Sequence, residues 1–219
     1  DSEEVFYIFL GDLIDGKDID PEHSLQMAKK VKSLVEQQRA ICLMGNHEYN
    51  LLMWDLGEKD SKSSNKTTIK HIRSHRDQWA PILSFFRNCP LAIRLDDTHL
   101  VHACWHEDSL SELQFLKQSG SEVLEDGHPL LNHFEDIEFF DTPFQQGSLR
   151  SDLPASKSEP SGNTPVEMVI KGPEESLEDG ETFPDWNDEE RGEFRLDWWK
   201  DRTKSGTTTI FGHYKSFEP

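Results

Sequence analysis

The chain has 219 residues, and its 42 acidic against 23 basic side chains give a formal net charge of −19. That length suits one sizeable core, and that charge excludes a nucleic-acid backbone or an anionic membrane as the main partner, since either would be repelled. Cys42, Cys89 and Cys104 stand far apart with no CxxC, which points to reduced, packed thiols in a cytosolic protein, and no apolar run approaches the roughly 18 residues that span a bilayer.

Val5 to Leu10 is continuously apolar and aromatic, the pattern of a strand covered on both faces, and it stops at Gly11-Asp12. Asp20-Pro21-Glu22 then supplies an N-cap, a proline at the first helical position and an early acid. With Leu25, Ala28, Val31, Leu34 and Val35 at helical spacing, a helix from Pro21 to Gln38 is expected. Ala40 to Met44 follows as a second strand, closing a βαβ unit with parallel strands. A helical pattern resumes over Glu48 to Leu56, and the lysine-rich residues 57–68 read as a surface loop. Trp79 to Phe86 gives a compact helix. Leu91 to Leu95 and His99 to Ala103 flank the turn Asp96-Asp97-Thr98 as a hairpin. Further helices are expected over Ser109 to Lys117 and, broken near Gly127-His128-Pro129, over Val123 to Phe140. Residues 147–190 form a long acidic excursion with a mobile tip near Ser151 to Asn163, although Pro165 to Ile170 and the Phe194 to Trp199 stretch are apolar enough to dock on a core. Thr207 to Phe211 reads as a last strand, ending at Gly212-His213. The whole reads as a single domain over 1–219.

Four strands therefore end in polar chemistry: Gly11-Asp12 with Asp15, Gly45-Asn46-His47-Glu48, His102, and Gly212-His213. In open α/β sheets a ligand sits beyond the carboxyl ends of the strands, so Asp12, Asp15, Asn46 and His47 would converge on one crevice. Each signal alone fits a turn or a core histidine; four at one sheet edge argue for a site. Oxygen and imidazole donors without thiolate suit Mn, Fe or Zn. A pair of such ions clamps a phosphoryl group and makes hydroxide, not a side chain, the nucleophile. His99 and His106 read as surface histidines outside the cluster, and Trp198-Trp199 as a cover for the sheet edge.

The run GDLID, GNHE, VHACW and FGHY, in that order, resembles the calcineurin-like metallophosphoesterase superfamily, and within it the phosphoprotein-phosphatase and diadenosine-tetraphosphate-hydrolase branch. The resemblance extends through PLAIRLDDTHLVHACW and the IKGPE stretch at Ile170 to Glu174. It implies an α/β fold, a β-sandwich flanked by helices in four layers (α/β/β/α). It also implies a metal-dependent phosphoester hydrolase with a hydroxide bridging two divalent ions. Asp12 would bridge the ions, and Asn46, His102 and His213 would complete the second ion's shell. His47 would donate a proton to the leaving oxygen, oriented by Asp15, with Glu48 behind these ligands. The expected substrate is a phosphoprotein, a dinucleoside polyphosphate or a small phosphomonoester.

The chain departs from the branch in three places. The branch opens with a D-x-H strand supplying two ligands to the first ion. This chain begins almost inside its first strand and stops just after its last, so it is expected to be cut at both ends and to lack that motif, which also leaves export open beside a cytoplasmic location. Gly16 stands where the branch has a phosphate-gripping arginine, for which Lys17, Arg94 or Lys171 could substitute. Tyr214-Lys215 replaces the second histidine of GHxH, in keeping with this branch. A rival expectation is a catalytically silent metal-binding module that presents its acidic excursion to a partner protein.

Overall fold

The computed structural model describes residues 5–16, 19–58, 66–146, 163–178, 181–184, 190–200 and 206–214. Strand β1 (Tyr7–Phe9) leads to helix α1 (Pro21–Glu36) and strand β2 (Ala40–Cys42), and β1 and β2 pair in parallel with Ile8 opposite Ile41. The Asp20 side chain accepts from the Glu22 amide at 2.8 Å and Pro21 opens the helix, as the sequence pattern demands. Leu25, Ala28 and Val31 form its buried stripe. β1 is not covered as its apolar run suggested: Val5 is 56% exposed and Tyr7 42%. Among the described residues it pairs with β2 alone, so one edge and part of its faces stay open.

Helices α2 (Asn46–Asp55), α3 (Lys66–Ser74) and α4 (Arg76–Arg87) follow β2. The expected loop over 57–68 therefore ends early. Its last residues start α3, and Thr68 is buried because Thr68, Ile69 and Ile72 share the inward face. Residues 59–65 lie outside the described set. β3 (Ala92–Leu95) and β4 (Thr98–Val101) form the expected hairpin, with Arg94 opposite His99.

Helix α5 (Glu107–Glu112) is shorter than its leucine spacing suggested, and a 3-10 turn over Gln114–Leu116 delivers the chain to strand β5 (Lys117–Ser119). The helix expected over 123–140 is absent as such. A single turn α6 (Gly120–Val123) and a 3-10 turn (Pro129–Asn132) precede strand β6 (Ile137–Phe140), which lies between β3 and β5. Pairing on both edges overrides the local pattern there, because Phe139 sits opposite both Ile93 and Gln118.

Within the acidic stretch, helix α7 (Pro165–Lys171) is nearly all buried, so this part belongs to the core; the tip at 151–162 lies outside the described residues. β7 (Glu174–Ser176), β8 (Phe183–Pro184), β9 (Glu190–Arg191) and β10 (Glu193–Arg195) make two small hairpin ladders, β7 with β10 and β8 with β9. β11 (Thr208–Phe211) returns to pair in parallel with β4, completing a five-stranded sheet of order β11-β4-β3-β6-β5.

Two packed layers follow from strand alternation. Ile41 and Leu43 at β2 meet Ile93, Leu95, Leu100, Ile137 and Phe139 of the large sheet, forming the layer between sheets. Cys42 and Met44 point the other way into the larger cluster with Leu25, Trp79 and Phe86 of the helices. This mixed α/β architecture is the one the sequence implied. No described helix is long and apolar enough to cross a membrane.

Candidate metal centre

Parallel register decides which side chains meet. β1 and β2 run together, so Gly11-Asp12 leaves one strand beside Gly45-Asn46 leaving the other. Phe211 lies opposite Val101, so His213 emerges beside His102. The Gly212 amide donates to the His102 carbonyl at 2.9 Å, and His102 Nδ1 lies 2.5 Å from the Leu10 carbonyl, which joins the large sheet to the end of β1.

The turns at these strand ends are unusual. Gly11 has φ of 93°, and a side chain there would meet the Gly45 backbone at 2.5 to 2.6 Å, so only glycine lets the two turns touch. Asp12, Asp15 and His213 have φ of 56°, 59° and 63°; with Gln38 and Asp96 they are the non-glycine residues in this region among those described. Three of five lie at one place, the clustering expected where backbone strain serves function.

The turns bring four acceptor atoms together. His102 Nε2 lies 3.4 Å from Asp12 Oδ2, 3.2 Å from Asn46 Oδ1 and 3.1 Å from His213 Nδ1. The His102 Nδ1 contact with the Leu10 carbonyl fixes the proton on Nδ1 and frees the Nε2 lone pair. Asn46 could turn its amide so that nitrogen donates to His213 at 3.0 Å and to Asp12 at 3.3 Å. A cation would satisfy the same four atoms without that turn. Their spacing suits donors sharing one ion through bonds of about 2.0 to 2.2 Å, and Asp12, His102 and His213 qualify geometrically as a metal-holding trio.

Electrostatics keep these donors ready. Burial opposes ionisation of Asp12, but its hydrogen bond and charge interaction with His102, with help from His47, outweigh it and hold the carboxyl well below the usual range. Burial, then the charges of Arg195 and His102, push His213 down to about 2, so its imidazole stays neutral with a lone pair to offer. The donor set therefore fits a divalent ion of the Mn, Fe or Zn type.

His47 stands apart from the four. Its amide donates to Asp12 Oδ1 at 3.2 Å, and its Nδ1 faces Asp15 Oδ2 at 3.7 Å, an ion-pair distance. Burial disfavours the charged imidazole, but contact with Asp15 and the charges of Asp12 and Glu48 prevail and raise its pKa. Thr68 of α3 donates a hydrogen bond to the other Asp15 oxygen. Glu48 is 1% exposed and accepts from the Asp12 amide at 2.9 Å and the Leu13 amide at 2.7 Å. Burial and the Asp12 charge raise its carboxyl to about 7 against the pull of His47, the Asp12 amide and His102.

The candidate phosphate cations are dispersed. Arg94 is paired with Glu138 on the face of the sheet away from the inner layer, Lys171 is paired with Glu167 at 2.9 Å, and Lys17 lies outside the described residues. Arg195 is the cation that sequence reasoning missed. Its charge acts on His213, its guanidinium lies 6.0 Å from the Tyr214 ring, and it too has a carboxylate partner, Glu174, with Nε 3.5 Å from Oε1. Only its position two residues before the Asp197-Trp198-Trp199 turn hinted at a link to the last strand. Thr68, taken for loop, was likewise missed.

His99 corrects another expectation: it is buried, with its ring stacked on Trp105 at 3.9 Å and 10°. His106 is half-buried and caps α5 through Nδ1, 3.2 Å from the Ser109 amide. Trp198 and Trp199 pack on Phe211 at 5.0 and 5.4 Å and so cover the β11 edge. A sequence profile described as calcineurin-like phosphoesterase matches residues 1–165, a range holding Asp12, Asn46, His47 and His102 but ending before Arg195 and His213. No curated protein and no solved structure matches the chain.

Proposed function

As a member of the calcineurin-like phosphoesterase family, the chain is one for which we propose metal-dependent hydrolysis of a phosphomonoester, with Asp12, Asn46, His102 and His213 as the residues that would hold a divalent ion. The single observation that carries this reading is the convergence of three acceptor atoms, from Asp12, Asn46 and His213, at 3.1 to 3.4 Å from the fourth, His102 Nε2, beside a histidine paired with a carboxylate. When bound, a divalent ion would supply charge neutralisation on the phosphoryl group and activation of the attacking water.

The remaining steps belong to side chains. His47, held cationic by Asp15, donates its proton to the leaving oxygen as the phosphorus–oxygen bond breaks. Asp15 holds the ring in place, and Thr68 holds Asp15. Arg195 offers its guanidinium to a non-bridging phosphate oxygen. One arginine suits one phosphate group. A dinucleoside polyphosphate brings several more negative charges to a molecule that already carries −19, so we favour a phosphorylated side chain or small molecule.

The test is turnover of p-nitrophenyl phosphate and of a phosphoserine peptide by protein stripped of metal and reloaded with Mn(II). Activity that returns with Mn(II) and is lost in His213→Ala supports the reading. Mn(II) binding with no turnover of either substrate would instead support the silent metal-binding module.

A further inference from the structure

Glu48 occupies the third position of α2, where a glutamate ordinarily serves the helix by folding back on its N-cap or facing its dipole. It does neither alone. Its two carboxylate oxygens reach across 36 and 35 residues to the successive amides of Asp12 and Leu13, at 2.9 and 2.7 Å. Those amides belong to the left-handed turn in which Gly11 and Asp12 both have positive φ, a conformation that an aspartate holds only when its surroundings impose it. The fit is close on every side, since a Cβ at Gly45 would come within 2.5 Å of both Glu48 Oε2 and Asp12 Oδ1.

We propose that Glu48 is a positioning residue that clamps the Gly11-Asp12 turn, so that the Asp12 carboxylate is aimed at the metal point before any ion arrives. The proposal rests on the metal reading above. A carboxylate is suited to the task, because it offers an acceptor to each amide at once, whereas an amide side chain offers one acceptor and sets a donor against the other N–H. Pre-aiming matters to affinity, because groups that orient a ligand change metal binding by about 10- to 100-fold.

Two measurements on the same preparations separate the clamp from the metal reading. In metal-free wild type, hydrogen exchange should find the Asp12 and Leu13 amides protected. In Glu48→Gln they should exchange at least about tenfold faster, while the strand amides of β3 and β4 are unchanged. Calorimetric titration with Mn(II) should then show about 10- to 100-fold weaker binding in Glu48→Gln, with the far-UV circular dichroism of wild type retained. Unprotected Asp12 and Leu13 amides in wild type overturn the clamp whatever the variant does. Equal Mn(II) affinity in wild type and Glu48→Gln overturns its role in metal binding. Absence of Mn(II) binding in wild type overturns the metal reading instead and leaves the exchange result to decide the clamp.

Discussion

The Nδ1 atom of His213 lies 3.1 Å from the Nε2 atom of His102, across 111 residues of chain. The parallel register of β11 on β4 makes this contact, with Phe211 opposite Val101 and the Gly212 amide on the His102 carbonyl. A slip of one residue would turn the strand's side chains to the other face, so the sheet, rather than any local motif, sets this half of the centre. The other half comes from the touching turns at Gly11 and Gly45.

Replacing Gly45 by alanine should therefore strike the centre by displacing the Gly11-Asp12 turn, at some cost in stability. The added methyl would fall 2.4 Å from the Asp12 backbone nitrogen and 2.5 Å from Asp12 Oδ1 and Glu48 Oε2. Mn(II) affinity should drop by about 10- to 100-fold, measured by calorimetry, with a melting temperature in EDTA lowered but a cooperative transition retained.

Removing the proposed proton donor should produce a loss that depends on the leaving group. His47→Asn should lower kcat for phenyl phosphate by about 10² to 10⁴. The loss should be clearly smaller for p-nitrophenyl phosphate, whose leaving oxygen needs no proton. Equal losses on the two esters would take His47 out of the acid role, and Mn(II) affinity within a few-fold of wild type would show that the ligands are intact.

Arg195→Ala should raise KM for p-nitrophenyl phosphate and weaken competitive inhibition by inorganic phosphate. A charge-assisted hydrogen bond is worth about 1.5 to 3 kcal/mol, or roughly 10- to 100-fold in kcat/KM. Arg94→Ala, which removes a pair with Glu138 on a remote face, should leave the same constants unchanged.

Acid sensitivity should arise in part at His128, far from the centre. This buried ring accepts a hydrogen bond from the Leu130 amide at 3.3 Å and meets the edge of Phe6. Burial pushes its pKa below the ordinary 6.5, against the pull of Glu125. The folded state thus disfavours the proton that the unfolded chain accepts. The stabilisation is present above pH 6.5 and is lost as the pH falls from there toward the folded value. Urea midpoints at pH 7.5 and 5.5 should differ less in His128→Asn than in wild type, since asparagine can cap the turn without titrating.

Much of the cluster was legible because each of its members follows a short apolar run, where a strand's end is visible in the sequence. Asp12, Asn46, His102 and His213 announce themselves in that way. What was not legible depends on partners remote in sequence. Thr68 lies at the end of a polar, lysine-rich run, and only the packing of α3 shows that it reaches Asp15. β6 reads as helix until its pairing with β3 and β5 is known. His99 looks like an outward-facing strand residue, yet Trp105 folds back to stack on it. β1 misled in the opposite sense, because six apolar residues in a row describe what a strand could bury, not what lies against it.

The most direct test of the central claim is anomalous diffraction at the manganese edge from crystals soaked in Mn(II). We predict a peak enclosed by Asp12, Asn46, His102 and His213, within coordination distance of His102 Nε2. A manganese bound elsewhere, with these four side chains joined only by an Asn46 amide that donates to Asp12 and His213, would contradict the account.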